Sequence, residues 1–283
     1  MDRQNQAQAE EARATETEAA PAKPSPHYEV EVLWVRHWTD SLFSFGVTRP
    51  PAFRFRSGEF VMVGLAGRTA SEKAILRAYS IASPSWAEEL EFFSIKVPDG
   101  PLTSRLQNIQ KGDRLLLGKK PTGTLVLDAL KPGKRLFLFS SGTGLAPFLS
   151  LVRDPEAYER FEHVTVVHGV RNVADLAYRE FLTKEIHEDP LIGEFIGEKL
   201  TYYPTVTREP FEREGRITDR ISSGAFFADV GLPGKFEAAE DRAMICGSMV
   251  MIKDTAALLE RNGLTEGANS AQGEYVIERA FVG

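Results

Sequence analysis

Cysteine is almost absent from this chain: Cys246 is the only one in 283 residues. One thiol excludes an internal disulfide and an iron–sulfur cluster ligated by several cysteines of the same chain, and it fits a reducing compartment. Long apolar runs are missing too. Nothing approaches the roughly 18 uninterrupted apolar residues of a bilayer-spanning helix, so no membrane span is expected. The first 26 residues have no large apolar side chain beyond Met1 and are rich in Ala, Glu, Gln and Pro. Such a segment buries too little surface to offset its ordering entropy, and residues 1–27 are expected to be a disordered tail. It lacks the apolar core of a secretory signal, and it is neither Arg-rich nor poor in acids as a transit peptide would be. A cytoplasmic location is therefore expected. His37, His163, His168 and His187 have no acidic or cysteine neighbours at ligand spacing, so no metal site is expected.

What is present is an ordinary globular composition, with 42% hydrophobic and 26% charged residues, in a chain long enough for two domains. The net charge of −6 is unevenly spread. Basic and acidic residues number 3 and 5 in 1–27, 14 and 11 in 28–131, and 17 and 24 in 132–283. A mildly basic middle block on an acidic protein would suit an acidic partner, although a surface with no partner would look the same.

From Tyr28 the texture changes to short β-branched and aromatic runs punctuated by Pro and Gly: YEVEVLWVRHW, LFSFGVTR, FRFRSGEFVMVGL, LRAYSIAS, LEFFSIKV and DRLLLG. That pattern predicts an antiparallel sheet or barrel over residues 28–131, with ALKPGK (129–134) as a linker. Beyond it, RLFLF (135–139), VTVVHG (164–169), LTYYPTV (200–206), AMICG (243–247) and YVIER (275–279) read as buried strands separated by helices. The clearest helix is 249–263, with Gly263 as its stop. Alternating strands and helices predict a doubly wound, five-stranded parallel sheet over 132–283.

The strongest local feature is SSGTGLAPFLSLV, directly after the strand ending at Phe139. Gly142 and Gly144 allow close backbone approach to a phosphate, and the following helix offers unpaired N–H groups. Pro147 suits the first turn of a helix, but it stands where a full G-x-G-x-x-G pattern would have its third glycine. A lone Gly-Thr-Gly is as often an ordinary strand-to-helix turn. Beyond the second strand of this half stands Arg171, where an NAD site usually carries an acid for the ribose hydroxyl. The third strand ends at Thr207–Arg208, and Arg216 opens the next helix. Three arginines at one sheet edge suit a 2′-phosphate, whose oxygens match guanidinium forks. Earlier, RAYSIASP places Arg77 and Tyr79 on one strand face, suiting a ligand with both a phosphate and a flat ring. VPDGPLTSRL puts Thr103 and Ser104 at a helix start, a second anion site of the same physical kind.

RAYS, VPDGPLTSRL, SSGTGLAPFLS, VVHGVR, VTRE with GRI, and MICGS occur in this order. Together they resemble the ferredoxin (flavodoxin)–NADP reductase family, in particular its bacterial type, across about residues 28–283. The resemblance implies an antiparallel FAD-binding barrel, then an NADP-binding domain whose C-terminal segment returns to the flavin. It implies that Arg77, Ala78, Tyr79 and Ser80 bind FAD, with Tyr79 against the isoalloxazine and Ser80 near N5. Phe93, Ser94 and Ile95 would line the cofactor, and Arg77 with the Pro101–Leu102–Thr103 turn would take its pyrophosphate. Thr143 would stand where flavin and nicotinamide meet. Gly142, Gly144, Arg171, Thr207, Arg208, Arg216, Cys246 and Gly247 would bind NADP(H). Ser80, Thr143, Cys246 and Glu278 form the implied reacting centre, with Cys246 positioning the nicotinamide and forming no covalent bond. Plant-type members end in a Tyr over the flavin. Here Ala280 holds that place, leaving the ring less covered, and Phe281 would lie against the FAD adenine.

The implied activity is hydride exchange between NADP(H) and FAD and single-electron exchange with ferredoxin or flavodoxin. The expected form is a monomer that binds neither membrane nor nucleic acid. Two other readings stay open: an NAD(P)H flavin reductase or reductase component serving another acceptor, and a flavin-binding sensor without turnover. The second has no need of Ser80, Thr143 and Cys246 together.

Overall fold

The structure is a computed structural model that describes residues 25–67, 69 and 71–279. The expected interior of the tail and the C-terminal Ala280 and Phe281 lie outside the described residues. In β1 (His27–His37), Val30 and Val32 turn inward while Glu29 faces out, the period-two pattern of a half-buried strand. β2 (Leu42–Thr48), β3 (Phe60–Leu65), β4 (Ile75–Ser80), β5 (Glu89–Ile95) and β6 (Arg114–Gly118) complete a six-stranded antiparallel sheet. Its order is β4-β3-β6-β1-β2-β5. An antiparallel bridge between Ile81 and Phe92 joins its two edges, so the sheet curls into a barrel around Phe43, Phe45, Val61, Val63, Phe92 and Leu117.

Two sequence expectations shift here. His27, assigned to the tail, is the first residue of β1 and pairs with Gly118. Backbone pairing continues past the last apolar side chain because it needs no particular side chain. FRFR (53–56) alternates like a strand yet forms none. Phe53 and Phe55 enter the barrel core, and the Phe53 carbonyl is held by the Arg49 guanidinium instead of a neighbouring strand.

β7 (Arg135–Ser141), β8 (His163–Val170), β9 (Leu200–Val206), β10 (Asp241–Gly247) and β11 (Tyr275–Arg279) form the second sheet. All its pairs are parallel, in the order β11-β10-β7-β8-β9. Helices cover both faces, as alternation along β7 requires. Leu136 and Leu138 pack with the helices at 146–151 and 155–160, whereas Phe137 and Phe139 pack against those at 217–222, 225–229 and 249–261. Leu125, Leu127 and Leu130, in the segment joining the two sheets, belong to the first of these cores.

The chain leaves β7 towards β8 on one side and returns to β10 on the other. The carboxyl ends of β7 and β10 therefore flank the topological switch point, where doubly wound sheets hold their ligands. The two halves are locked together away from it. The Tyr178 hydroxyl donates to Glu91 of the barrel at 2.7 Å and accepts from Ser44. Arg153 pairs with Glu91 at 2.9 Å, and Ser150 donates to the Ser83 carbonyl. Tyr178 has φ +62°, unfavourable for a side chain of this size and held by contacts on all sides. Among the described residues, no helix is long and apolar enough to cross a membrane.

Candidate active site at the junction of the two sheets

β7 ends at Ser141, and the chain makes one tight helical turn, Gly142–Leu145, before the helix at 146–151. Pro147 lies in that helix's first turn, where its missing N–H leaves no bond unmade. The turn rests on the end of β10: a Cβ on Gly144 would stand 2.3 Å from the Cys246 carbonyl oxygen, so only glycine permits this packing. Ser141 Oγ ties the two strand ends by accepting from the Ser248 N–H at 2.9 Å. Thr143 is buried, yet its hydroxyl has no hydrogen-bond partner among the described residues. A buried polar atom left unpaired points to a ligand group that completes it.

Cys246 is fully buried beside this turn. Burial, reinforced by the charge of Glu278, pushes its thiol far up and keeps it protonated, which makes it a poor nucleophile. Glu278 is its register partner across β10 and β11. The Glu278 carboxylate accepts from the Thr124 N–H at 3.0 Å, and Thr124 Oγ1 donates to the Ile277 carbonyl at 2.6 Å. Burial outweighs these donors and pushes the carboxyl up to about 7, with Glu59 adding to the rise. A carboxyl poised there can hold or release a proton at neutral pH.

The same Thr124 segment brings the barrel to this point. Phe60 pairs with Ser80 at the end of β4 and also bridges to Thr122, two residues before Thr124. Ser80, Thr143, Cys246 and Glu278 thus belong to segments that meet where the two sheets abut. On β4, Arg77 is exposed, and among the described residues its guanidinium bonds only the neighbouring Leu76 carbonyl. Tyr79 is half-buried, edge-on to Phe45 and Phe92, and hydrogen-bonded to Ser94 at 3.2 Å. Burial raises its phenol.

The remaining predicted residues divide by orientation. Ala78 and Ile95 are exposed. Phe93 turns its ring against Tyr178, 5.3 Å between centroids, in the contact between the two halves. Pro101 is exposed, whereas Leu102 buries its side chain in the barrel core and offers only its backbone outward. Thr103 opens a helix of four residues, Thr103–Leu106, and its hydroxyl donates to the Val97 carbonyl at 3.0 Å, closing the turn on itself.

Arg171 and Arg208 follow the ends of adjacent strands β8 and β9, and Arg216 stands just before the helix at 217–222. The Arg208 N–H bonds the Arg171 carbonyl at 2.9 Å, and Thr207 caps Val170. All three guanidiniums are exposed, and among the described residues none is paired with a carboxylate. Their neighbours differ: Arg213 and Arg220 are committed to Asp229. Unpaired cations beside a turn with an unpaired hydroxyl fit a phosphorylated dinucleotide, and the half-exposed Tyr79 beside Arg77 fits a flavin nucleotide. Among the described residues, no group of three His, Cys, Asp or Glu side chains is arranged to hold a metal.

Sequence reasoning did not single out Thr124, Tyr178, Ser44 or Glu91. Each acts through a partner far away in the chain, and no local pattern marks it.

Comparison with known proteins bears on the same region. A family model described as the oxidoreductase NAD-binding domain matches residues 138–257. A flavodoxin/ferredoxin–NADP reductase of Rhodobacter capsulatus is 57% identical over 267 residues, covering 94% of this chain and 97% of that protein. A ferredoxin–NADP reductase of Pseudomonas aeruginosa is 56% identical over 256 residues, covering 90% and 98%. Among solved structures, a ferredoxin NADP+ reductase from Neisseria gonorrhoeae with bound FAD and NADP superposes with a TM-score of 0.81 at 30% identity, over 91% of this chain and 100% of that one.

Proposed function

Since this chain belongs to the ferredoxin (flavodoxin)–NADP reductase family, we propose that its junction residues carry hydride exchange with NADP(H) and its barrel the contact with an electron carrier. The protein is an FAD-dependent NADP(H) oxidoreductase. FAD supplies the step that no side chain can, accepting two electrons as hydride and passing them on singly. The protein's part is binding, orientation and control of protons.

In this reading Arg77 and the turn at 101–103 hold the FAD phosphates, while Tyr79 and Ser94 offer a flat surface and a hydroxyl beside the ring system. Arg171, Arg208 and Arg216 select the 2′-phosphate. Thr143 directs its unpaired hydroxyl towards the place where the two cofactors meet, and Gly142, Gly144 and Gly247 keep that place free of side chains. Cys246 remains a thiol and shapes the pocket. Glu278 holds a proton at its carboxyl and exchanges it near neutral pH. The mildly basic 28–131 block supports ferredoxin or flavodoxin as an acidic carrier. The single buried, unpaired cysteine supports a cytoplasmic setting, and sedimentation at one chain's mass tests the monomer.

The observation that carries the proposal is the meeting of Thr143, Cys246 and Glu278 at the switch point with the Ser80 end of β4 beside them. The test is the spectrum of the purified protein and its rates of ferricyanide, ferredoxin and flavodoxin reduction with NADPH and NADH. The expected result is a yellow protein that prefers NADPH and reduces at least one carrier. A colourless protein that takes up no added FAD would sink the proposal. Ferricyanide reduction without reduction of either carrier would leave the flavoenzyme and remove the partner.

A further inference from the structure

His168 lies near the carboxyl end of β8, on the strand face that carries Val164 and Val166 into the core shared with the helix at 146–151. It has no exposed surface. Burying an imidazole among apolar groups is costly unless both ring nitrogens are bonded, and both are. Nε2 lies 3.1 Å from the Gly142 carbonyl oxygen, and Nδ1 lies 3.0 Å from the Tyr202 hydroxyl. A carbonyl only accepts, so Nε2 carries the proton and Nδ1 accepts from Tyr202. Burial drives the imidazole pKa down to about 4, against the opposing pull of the Gly142 carbonyl, so this neutral tautomer persists at neutral pH.

Gly142 is the first residue of the turn at the switch point, with φ +54°. A glycine in that region leaves the next peptide plane free to rotate unless something holds it. A trans peptide is planar and sets its C=O opposite to the following N–H. With the Gly142 oxygen drawn inward to His168, the Thr143 N–H faces away from the core. As one of the first N–H groups of the turn, it has no carbonyl within the turn to bond. The hydroxyl of the same residue is buried and unpartnered. The bond from this core histidine thus adds, from the core side, to the turn's own hydrogen bonding in fixing which way the dipole of the Gly142–Thr143 peptide points.

We infer that His168 is a positioning residue for the nicotinamide nucleotide, a role that rests on the NADP(H) assignment of this site. Its Nε2–H fixes the Gly142–Thr143 peptide so that the Thr143 N–H is presented to the crevice; the Gly142 carbonyl by itself sets this tautomer, and the Tyr202 hydroxyl only satisfies the second ring nitrogen. A valine at 168 would fill the core without orienting the peptide.

Calorimetric titration of the FAD-loaded protein with NADP+ and, separately, with 2′-AMP tests this. 2′-AMP offers the arginines their phosphate but has nothing to place on the turn. His168→Leu is expected to weaken NADP+ binding about tenfold, the scale of one hydrogen bond, and to leave 2′-AMP binding within about twofold. His168→Gln, whose amide N–H reaches about as far as Nε2, restores most of the NADP+ affinity. Tyr202→Phe removes the other bond, keeps Nε2–H, and stays close to the wild type. In nucleotide-free protein, hydrogen exchange at the amides of residues 142–145 should quicken with His168→Leu and not with Tyr202→Phe. Equal losses for NADP+ and 2′-AMP, or equal damage from His168→Leu and Tyr202→Phe, would make His168 a satisfied core residue and overturn the inference. If the leucine variant does not fold, His168→Gln is compared with His168→Asn, which is too short to reach Gly142. Equal NADP+ affinities in that pair overturn the inference as well. A wild type that binds 2′-AMP and NADP+ not at all would instead remove the NADP(H) assignment, and this role with it.

Discussion

Cys246 faces Glu278 across the β10–β11 pair, and neither group sits in its ordinary protonation range. The thiol is held protonated by burial, and the carboxyl is lifted to about 7 although Thr124 donates to it. Strand register sets these two groups side by side, Cys246 fully buried and Glu278 partly so where Thr124 of the barrel segment packs on β11.

Glu278→Gln should flatten the pH dependence of stability. Between the usual glutamate value of 4.5 and about 7, the folded protein keeps a proton that the unfolded chain releases. Unfolding there releases protons, so stability falls as pH rises through this window and levels off above it. The full effect at neutral pH is on the order of 2–3 kcal/mol. Melting temperatures of the FAD-free protein from pH 4.5 to 8 should slope downward in the wild type and not in the variant. Parallel profiles would place the titration elsewhere.

Arg171→Ala combined with Arg208→Ala should raise KM for NADPH far more than for NADH. Each charge-assisted contact to the 2′-phosphate contributes roughly 1.5–3 kcal/mol, or about tenfold to a hundredfold. Steady-state kinetics with both cofactors decides it, and equal losses would make these arginines structural.

Gly144→Ala should disrupt the turn while sparing the barrel. The added Cβ meets the Cys246 carbonyl, which is backbone and cannot swing aside. Overpacking of this kind typically costs about 1–3 kcal/mol. The expected outcome is normal flavin content with weakened NADP+ binding, read by absorbance and calorimetry. Wild-type NADP+ affinity would show that the turn is free to shift.

Cys246→Ala should preserve FAD content, and the wild-type thiol should resist alkylation in the folded state. A buried thiol held protonated reacts far more slowly than an exposed one. Mass spectrometry after iodoacetamide treatment, with and without denaturant, provides the comparison. Rapid native labelling would contradict the burial of Cys246.

Tyr178→Phe should loosen the contact between the two halves. Removing the hydroxyl takes one hydrogen bond from each of Ser44 and Glu91, while Trp38 still donates to Ser44 and Arg153 to Glu91, at about 1 kcal/mol. Denaturant unfolding should show a lower midpoint, and an unchanged midpoint would mean that water replaces the hydroxyl.

Much of this protein was legible one segment at a time. The period-two runs of the barrel, the buried strands of the parallel sheet and the helix after MICGS carry their conformations in local apolar spacing, because a strand or helix face is defined over a few residues. The glycines of the 142–145 turn and the arginines after the strand ends could also be read locally. Strand ends at one sheet edge bring such residues together whatever the loops do. FRFR shows the limit: its alternation is that of a strand, but no neighbouring strand is available to pair with it.

The opening scarcity of cysteine determined what this protein is not, and the order of its motifs determined its family. Only the tertiary structure decided that the lone Cys246 lies beside Glu278, that Thr124 holds Glu278, and that His168 holds the turn at the switch point. It also decided that Tyr178 spans both halves. Those relationships join residues from 26 to 154 positions apart, among them side chains on neighbouring strands whose register no local pattern specifies. Burial and hydrogen bonding act through space, and the protonation states on which the chemistry depends follow from that packing.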